Sequence, residues 1–409
     1  MKVSATLVTG LIAGVGLMLT GAPALAASKN TNSEAVAKLL SPAQDLMKQK
    51  KYAEALAKIK EANALPNKTP FDQHTINEFG CSANVGAGNY ADAARDCEAK
   101  LNDGFTPESE APGLVKNLML LNYQVKNYDK AIEFGQRAIK GGYATDETRN
   151  FLAQSYYLKG AYKEAQKTED SLIETEMKAG QQPKEQQISL LLSSCVKLED
   201  AQCQEHALER MVAYYPKPEH WKALLYTIRK DTTGNDANTL QTYRLMTEVD
   251  VLQDAGDYNE AAQLALEAGS PGEAQKFLEK GFANNVFTDQ RAKDRNTRLL
   301  ETVKKTAATD QASLPKTEKE AEASPQGQKN VGVGLAYLGY GQYDKAAEQL
   351  SKGLAKGGLK NEAEARLLLG IAQLKGGHKD DAVKSFKAVK GDPALERLAN
   401  LWALHARQA

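Results

Sequence analysis

The chain has 409 residues, with 52 basic and 52 acidic side chains and a formal net charge of zero at pH 7. That balance leaves no electrostatic footprint for nucleic acid or an anionic membrane. Charged residues make up 25% of the chain; with abundant Ala, Leu and Gln they are helix-forming material, and the long Val/Ile runs of a large sheet are missing.

In chain order, residues 1–26 read as a signal peptide. Lys2 gives a positive start, an apolar run follows from Ala5 to Thr20, and Ala24-Leu25-Ala26 is an A-x-A cleavage site. Cleavage after Ala26 leaves 383 of the 409 residues and places the mature chain in a bacterial periplasm, with no Cys after the site to carry a lipid anchor.

One phrase then recurs: Gly or Lys, any residue, Tyr, two residues, Ala. Clear copies start at Lys50, Gly88, Lys126, Gly160, Gly256 and Gly341, and weaker ones span 198–203, 269–274 and 377–382. From Ala55 to Ala93, Ala131 and Ala165 the steps are 38, 38 and 34 residues. Each residue type has a physical task. Gly takes a positive φ at a tight bend between helices. Ala lets paired helices approach closely, and Tyr packs sideways on the next pair.

The segments 152–156 and 333–337 (Leu-Ala-Gln-Ser-Tyr and Val-Gly-Leu-Ala-Tyr) put a large, a small and an aromatic residue in the helix before the bend. With the recurring phrase they resemble the tetratricopeptide repeat family. The resemblance implies an all-α, right-handed α-solenoid of stacked helix-turn-helix repeats, arranged as two arrays. The first covers 27–288, irregular around 204–245. A long polar helix (289–312) and a charged linker (313–328, with Glu318, Glu320 and Glu322) occupy 289–328. The second array covers 329–409. Its end reads as a capping helix that starts at Asp392-Pro393 and has Leu395, Leu398, Leu401 and Trp402 on one face.

Four cysteines in an exported chain imply two disulfides, and four allow three pairings. In the repeat register, Cys81 and Cys97 fall symmetrically about one bend, and Cys195 and Cys203 about another. This pairing would staple two hairpins.

No metal-binding spacing, nucleophile elbow, P-loop or dinucleotide pattern is present, and Val331-Gly332-Val333-Gly334 reads as small residues packing inside a repeat helix. The expectation is a non-catalytic scaffold without cofactor or metal. It binds a protein or peptide of the cell envelope in assembly, transport or secretion, and touches a membrane only through that partner. The oligomeric state stays open. The positions that line the family's inner surface map here to Lys116, Asn117, Tyr123 and Gln124 from one repeat and Asn150, Gln154 and Tyr157 from the next, with Phe151 beside them. Amides suit a peptide backbone, and Tyr adds area with a polar tip. The aromatics of residues 214–221 form a second candidate anchor. The alternative reading is a cell-wall or polysaccharide-acting enzyme that hides a shielded carboxylate in the solenoid.

Overall fold

A computed structural model describes residues 30–232 and 234–408; the expected signal peptide lies outside them. Among the described residues the chain forms twenty α-helices and no strand. Two compact units result, one ending at Ser155 and the other beginning at Tyr156.

The first unit holds α1 (Glu34–Lys48), α2 (Tyr52–Asn63), α3 (Pro70–Ala87), α4 (Tyr90–Asn102), α5 (Ala111–Gln124), α6 (Tyr128–Lys140) and most of α7 (Asp146–Lys159). Each hairpin bends at a residue with positive φ: Lys50, Gly88 and Lys126 here. At Gly88 the chain closes the end of α3 with bonds from Gly88 N to Val85 O and from Asn89 N to Asn84 O, the crossed pair that ends a helix with a left-handed residue. The next helix then starts at the Tyr of the phrase. Its fourth residue, Ala55, Ala93 or Ala131, has no exposed surface. The Tyr52 ring fills the space where Gly86 of the next pair lacks a side chain; a Cβ there would lie 2.3 Å from it.

The second unit continues with α8 (Tyr162–Lys178), α9 (Glu185–Lys197), α10 (Ala201–Tyr214), α11 (Pro218–Thr232), α12 (Asp236–Glu248), α13 (Ala255–Glu267) and α14 (Pro271–Ala283). Its bends are at Gly160, Glu199, Gly234 and Gly269. From Lys50 to Gly269 the bends are therefore 38, 38, 34, 39, 35 and 35 residues apart, and the stretch expected to be irregular keeps the rhythm. The copy starting at Gly256 is not a bend, because Gly256 and Tyr258 lie inside α13. The bend at 199 also sits one residue later than the sequence suggested. The small-residue slot then falls on Gln204, and Cys203 is only half-buried.

One interval of 72 residues, from Gly269 to Gly341, breaks the period. It contains α15 (Gln290–Ala323), which runs through Pro315 and most of the segment expected to be a linker. Val303, Ala307, Leu314 and Ala321 are buried on it and form a narrow apolar stripe that packs on α14 and on α16 (Gln328–Gly339). Glu318 accepts bonds from Tyr337 Oη at 2.7 Å and Gln349 Nε2 at 2.9 Å, and Glu322 pairs with Lys352 at 3.1 Å; Glu320 is exposed. Within α16, Gly334 lets Leu350 come close, since a Cβ there would be 2.7 Å from its Cγ.

The last helices are α17 (Tyr343–Lys356), α18 (Glu362–Lys375), α19 (Lys379–Lys387) and α20 (Pro393–Gln408). Helix α20 covers α18 and α19 as a cap would, but it also packs on α12. Its Arg397 pairs with Glu205 at 3.1 Å and Glu209 at 2.9 Å, and Gln408 Nε2 donates to Val212 O at 3.1 Å. One apolar core therefore runs from Leu208 to Ala406. Helix α12 is buried on every side from Asn238 to Met246. Several of its polar groups bond to the surrounding helices, while Gln241 Oε1 and Arg244 Nη1 are buried without a partner. Arg244 forms a two-pronged pair with Glu273 at 2.7 and 2.6 Å, Gln241 donates to Glu364 at 3.0 Å, and Glu248 meets Lys375 and, at 3.7 Å, His405.

Candidate partner-binding surface

In the first unit α5 and α7 lie close enough for Tyr123 Oη to donate to Gln154 Oε1 at 2.8 Å. Gln154 Nε2 in turn donates to Asn150 Oδ1 one helical turn away. The Tyr123 ring meets Phe151 edge-on at 5.1 Å and Tyr128 at 6.1 Å. Burial, then the neighbouring Tyr128, raises the Tyr123 phenol above its usual pKa, so it stays a neutral donor. The chain of bonds ends on the oxygen of Asn150, whose amide N–H groups remain to meet a carbonyl. Asn117 and Gln124 are exposed, and Lys116 is half-buried. The structure thus joins Tyr123, Asn150, Gln154 and Phe151, whereas Lys116, Asn117 and Gln124 stand apart from that bonded chain. Tyr157 belongs to the second unit, where it packs edge-on against Tyr162 at 5.3 Å.

The other aromatic candidate does not survive as an exposed anchor. Trp221 is buried and meets the His405 ring at 6.2 Å. Tyr215 Oη donates to Pro183 O at 2.9 Å. These residues hold the second unit together.

Two clefts went unread in the sequence. One, of about 510 Å³ in the first unit, has an alanine floor from α4 and a rim of Arg95, Glu98 and Lys130. The other, of about 720 Å³ in the second unit, is walled by Met177, α10 and α20 and contains His206, Arg210, Arg397 and Arg407. Neither has a sequence signature, because each is assembled from side chains of separate helices.

The cysteine sulfurs are bonded as Cys81–Cys97 and Cys195–Cys203, with Cα atoms 4.8 and 5.5 Å apart. Both bridges join the two helices of a hairpin. Among the described residues no group of three or more His, Cys, Asp or Glu side chains is placed to hold a metal ion, and no helix is long and apolar enough to cross a membrane. A shielded carboxyl does exist. Burial, with the Glu176 carboxylate nearby, pushes Glu169 up to about 8. It has no exposed surface and lines neither cleft, so it offers a polysaccharide nothing to touch.

No protein-family model and no curated protein matches this chain. Solved structures similar to it include a tetratricopeptide repeat protein from Parabacteroides merdae, at 14% identity over 74% of this chain and 99% of that one, with a TM-score of 0.32. The Naa15/Naa10 assembly bound to HypK-THB matches at 15% identity over 91% and 61%, with a TM-score of 0.41. The TPR2AB domain of yeast Sti1 in complex with pHSP90 matches at 12% identity over 73% and 100%, with a TM-score of 0.25. The tetratricopeptide-like architecture of this chain rests on its own hairpins, which bend at a regular period and bury an alanine five residues after most bends, though not after Glu199 or Gly234.

Proposed function

We propose that this protein is an exported, non-catalytic scaffold that holds a protein or peptide of the cell envelope, in assembly, transport or secretion. The observation that carries the reading is the α5/α7 surface of the first unit, where Tyr123 and Gln154 are bonded in place and the Asn150 amide is left to donate. Such preorganised amides suit an extended backbone, because little side-chain freedom is lost on binding. In the repeat register Lys116, Asn117 and Gln124 belong to the same proposed surface, and Tyr157 is a separate contact on the second unit. Two disulfides support an oxidising compartment.

The test is recovery of a partner from the native envelope by the wild-type chain and by an Asn150→Ala, Gln154→Ala double variant. The reading expects one envelope protein to be retained by the wild type and lost by the variant at unchanged helicity. Equal retention by both would remove this surface from the account, and peptidoglycan turnover by the pure protein would remove the scaffold reading.

A further inference from the structure

The two disulfides sit in different surroundings. Cys81 and Cys97 both lie well inside their helices, α3 and α4. Cys203 is the third residue of α10, in the first turn, where the helix dipole favours a thiolate. Asp200 caps that turn by accepting from Cys203 N at 3.0 Å. Cys203 is half-buried, and Gln166 on α8 donates an amide N–H to its sulfur at 3.3 Å. Its partner Cys195 is fully buried in a cluster with Ile173 of α8.

Glu169 lies on α8 between Gln166 and Ile173, one turn from each, so it shares the helix face whose Gln166 meets Cys203 and whose Ile173 packs in the Cys195 cluster. It is wholly buried, and neither of its carboxyl oxygens has a hydrogen-bond partner. A carboxyl in that condition keeps its proton at neutral pH. The environment therefore supplies a sulfur with an N–H donor, a buried leaving sulfur and a proton-bearing acid on the same helix face.

We propose that Cys195–Cys203 is a redox-active pair that accepts two electrons from a dithiol, with Cys203 the sulfur attacked and Glu169 the proton donor to Cys195. A thiolate of the incoming dithiol bonds to Cys203 Sγ, and the Cys195–Cys203 bond breaks. Cys195 leaves with the electron pair and takes the proton of the Glu169 carboxyl. The second thiolate of the dithiol then attacks its own partner sulfur in the mixed disulfide. Cys203 departs as a thiolate, steadied by the Gln166 N–H and the start of α10, and the dithiol leaves as a disulfide. The natural donor in this class is a protein with two neighbouring thiols.

Dithiothreitol serves as the probe on the intact chain, with thiols alkylated and the four cysteine peptides weighed. The expected result is opening of Cys195–Cys203 at dithiothreitol ratios that leave Cys81–Cys97 closed and helicity unchanged. With glutathione as the reductant, the trapped adduct is expected on Cys203 and not on Cys195. Glu169→Gln should slow opening at pH 7 by about tenfold or more, with the gap closing above pH 8. Joint opening of both disulfides only as helicity is lost would overturn the proposal, as would an adduct on Cys195. An unchanged rate in Glu169→Gln would overturn the role given to that carboxyl.

Discussion

The first unit and the second are made from the same bend and the same hairpin, yet they hold together differently. In the first, side chains tie each pair to the next: Lys130 reaches Glu98, 32 residues back, and Tyr123 reaches Gln154, 31 ahead. In the second, bonds also span most of the unit. Gln241 meets Glu364 across 123 residues, and Gln408 meets Val212 across 196. A repeat array whose units touch only neighbours gains stability by increments and can open from an end. One that closes on a buried helix must lose its core together. The repeated phrase therefore sets the hairpin, whereas α12 and α20 set the cooperativity.

The comparison breaks most sharply at Arg244. Its guanidinium is buried and makes two bonds to Glu273, from Nε and Nη2. Arg244→Ala leaves a buried carboxylate alone and should cost about 3–5 kcal/mol by chemical denaturation. Lys130→Ala in the first unit removes a pair whose partners are 37% and 29% exposed and should cost about 1 kcal/mol or less. Equal losses would contradict the distinction.

Acid probes the same closure. Burial raises the Glu248 pKa, but the His405 hydrogen bond and the Lys375 charge outweigh it and hold the carboxyl at about 2. The folded pKa is thus below the unfolded value near 4.5. The pair's stabilisation, about 3 kcal/mol, is complete above pH 4.5 and disappears as pH falls through about 2. Denaturation of wild type and Glu248→Gln across that window should converge at the acid end.

A smaller effect belongs to the bends. Lys126 holds φ at 62° with a full side chain. Lys126→Gly relieves that strain and should stabilise the first unit by about 0.5–1 kcal/mol, net of the freedom glycine adds to the unfolded chain. Thermal unfolding would show it.

Much of this architecture could be read in the residues, for physical reasons that also explain the misreadings. Bends marked by Gly or Lys with Tyr two residues on are visible because backbone and packing demands coincide there. The bends at Gly234 and Gly269 are followed at that place by Asp236 and Pro271, so backbone geometry persists without the aromatic cue. Conversely, Gly256-Asp257-Tyr258 mimics the phrase in the first turn of α13, because a glycine can sit in a helix at modest cost. The α15 stripe of Val303, Ala307, Leu314 and Ala321 is one residue wide among charges, and Pro315 disguised it further. Of the proposed partner surface, the repeat register brought forward Tyr123, Asn150 and Gln154. It could not foresee that they bond to one another, because α5 and α7 meet only in the fold.

The most direct test of the scaffold account is site-specific photocrosslinking in the native envelope, with the probe at Asn117 or Gln124 on the proposed surface and at Lys167 on α8 as a control. The account predicts that the same envelope protein is captured from both surface positions and not from the control. Capture from all three alike, or from none while the chain is folded and at its normal level, would contradict it.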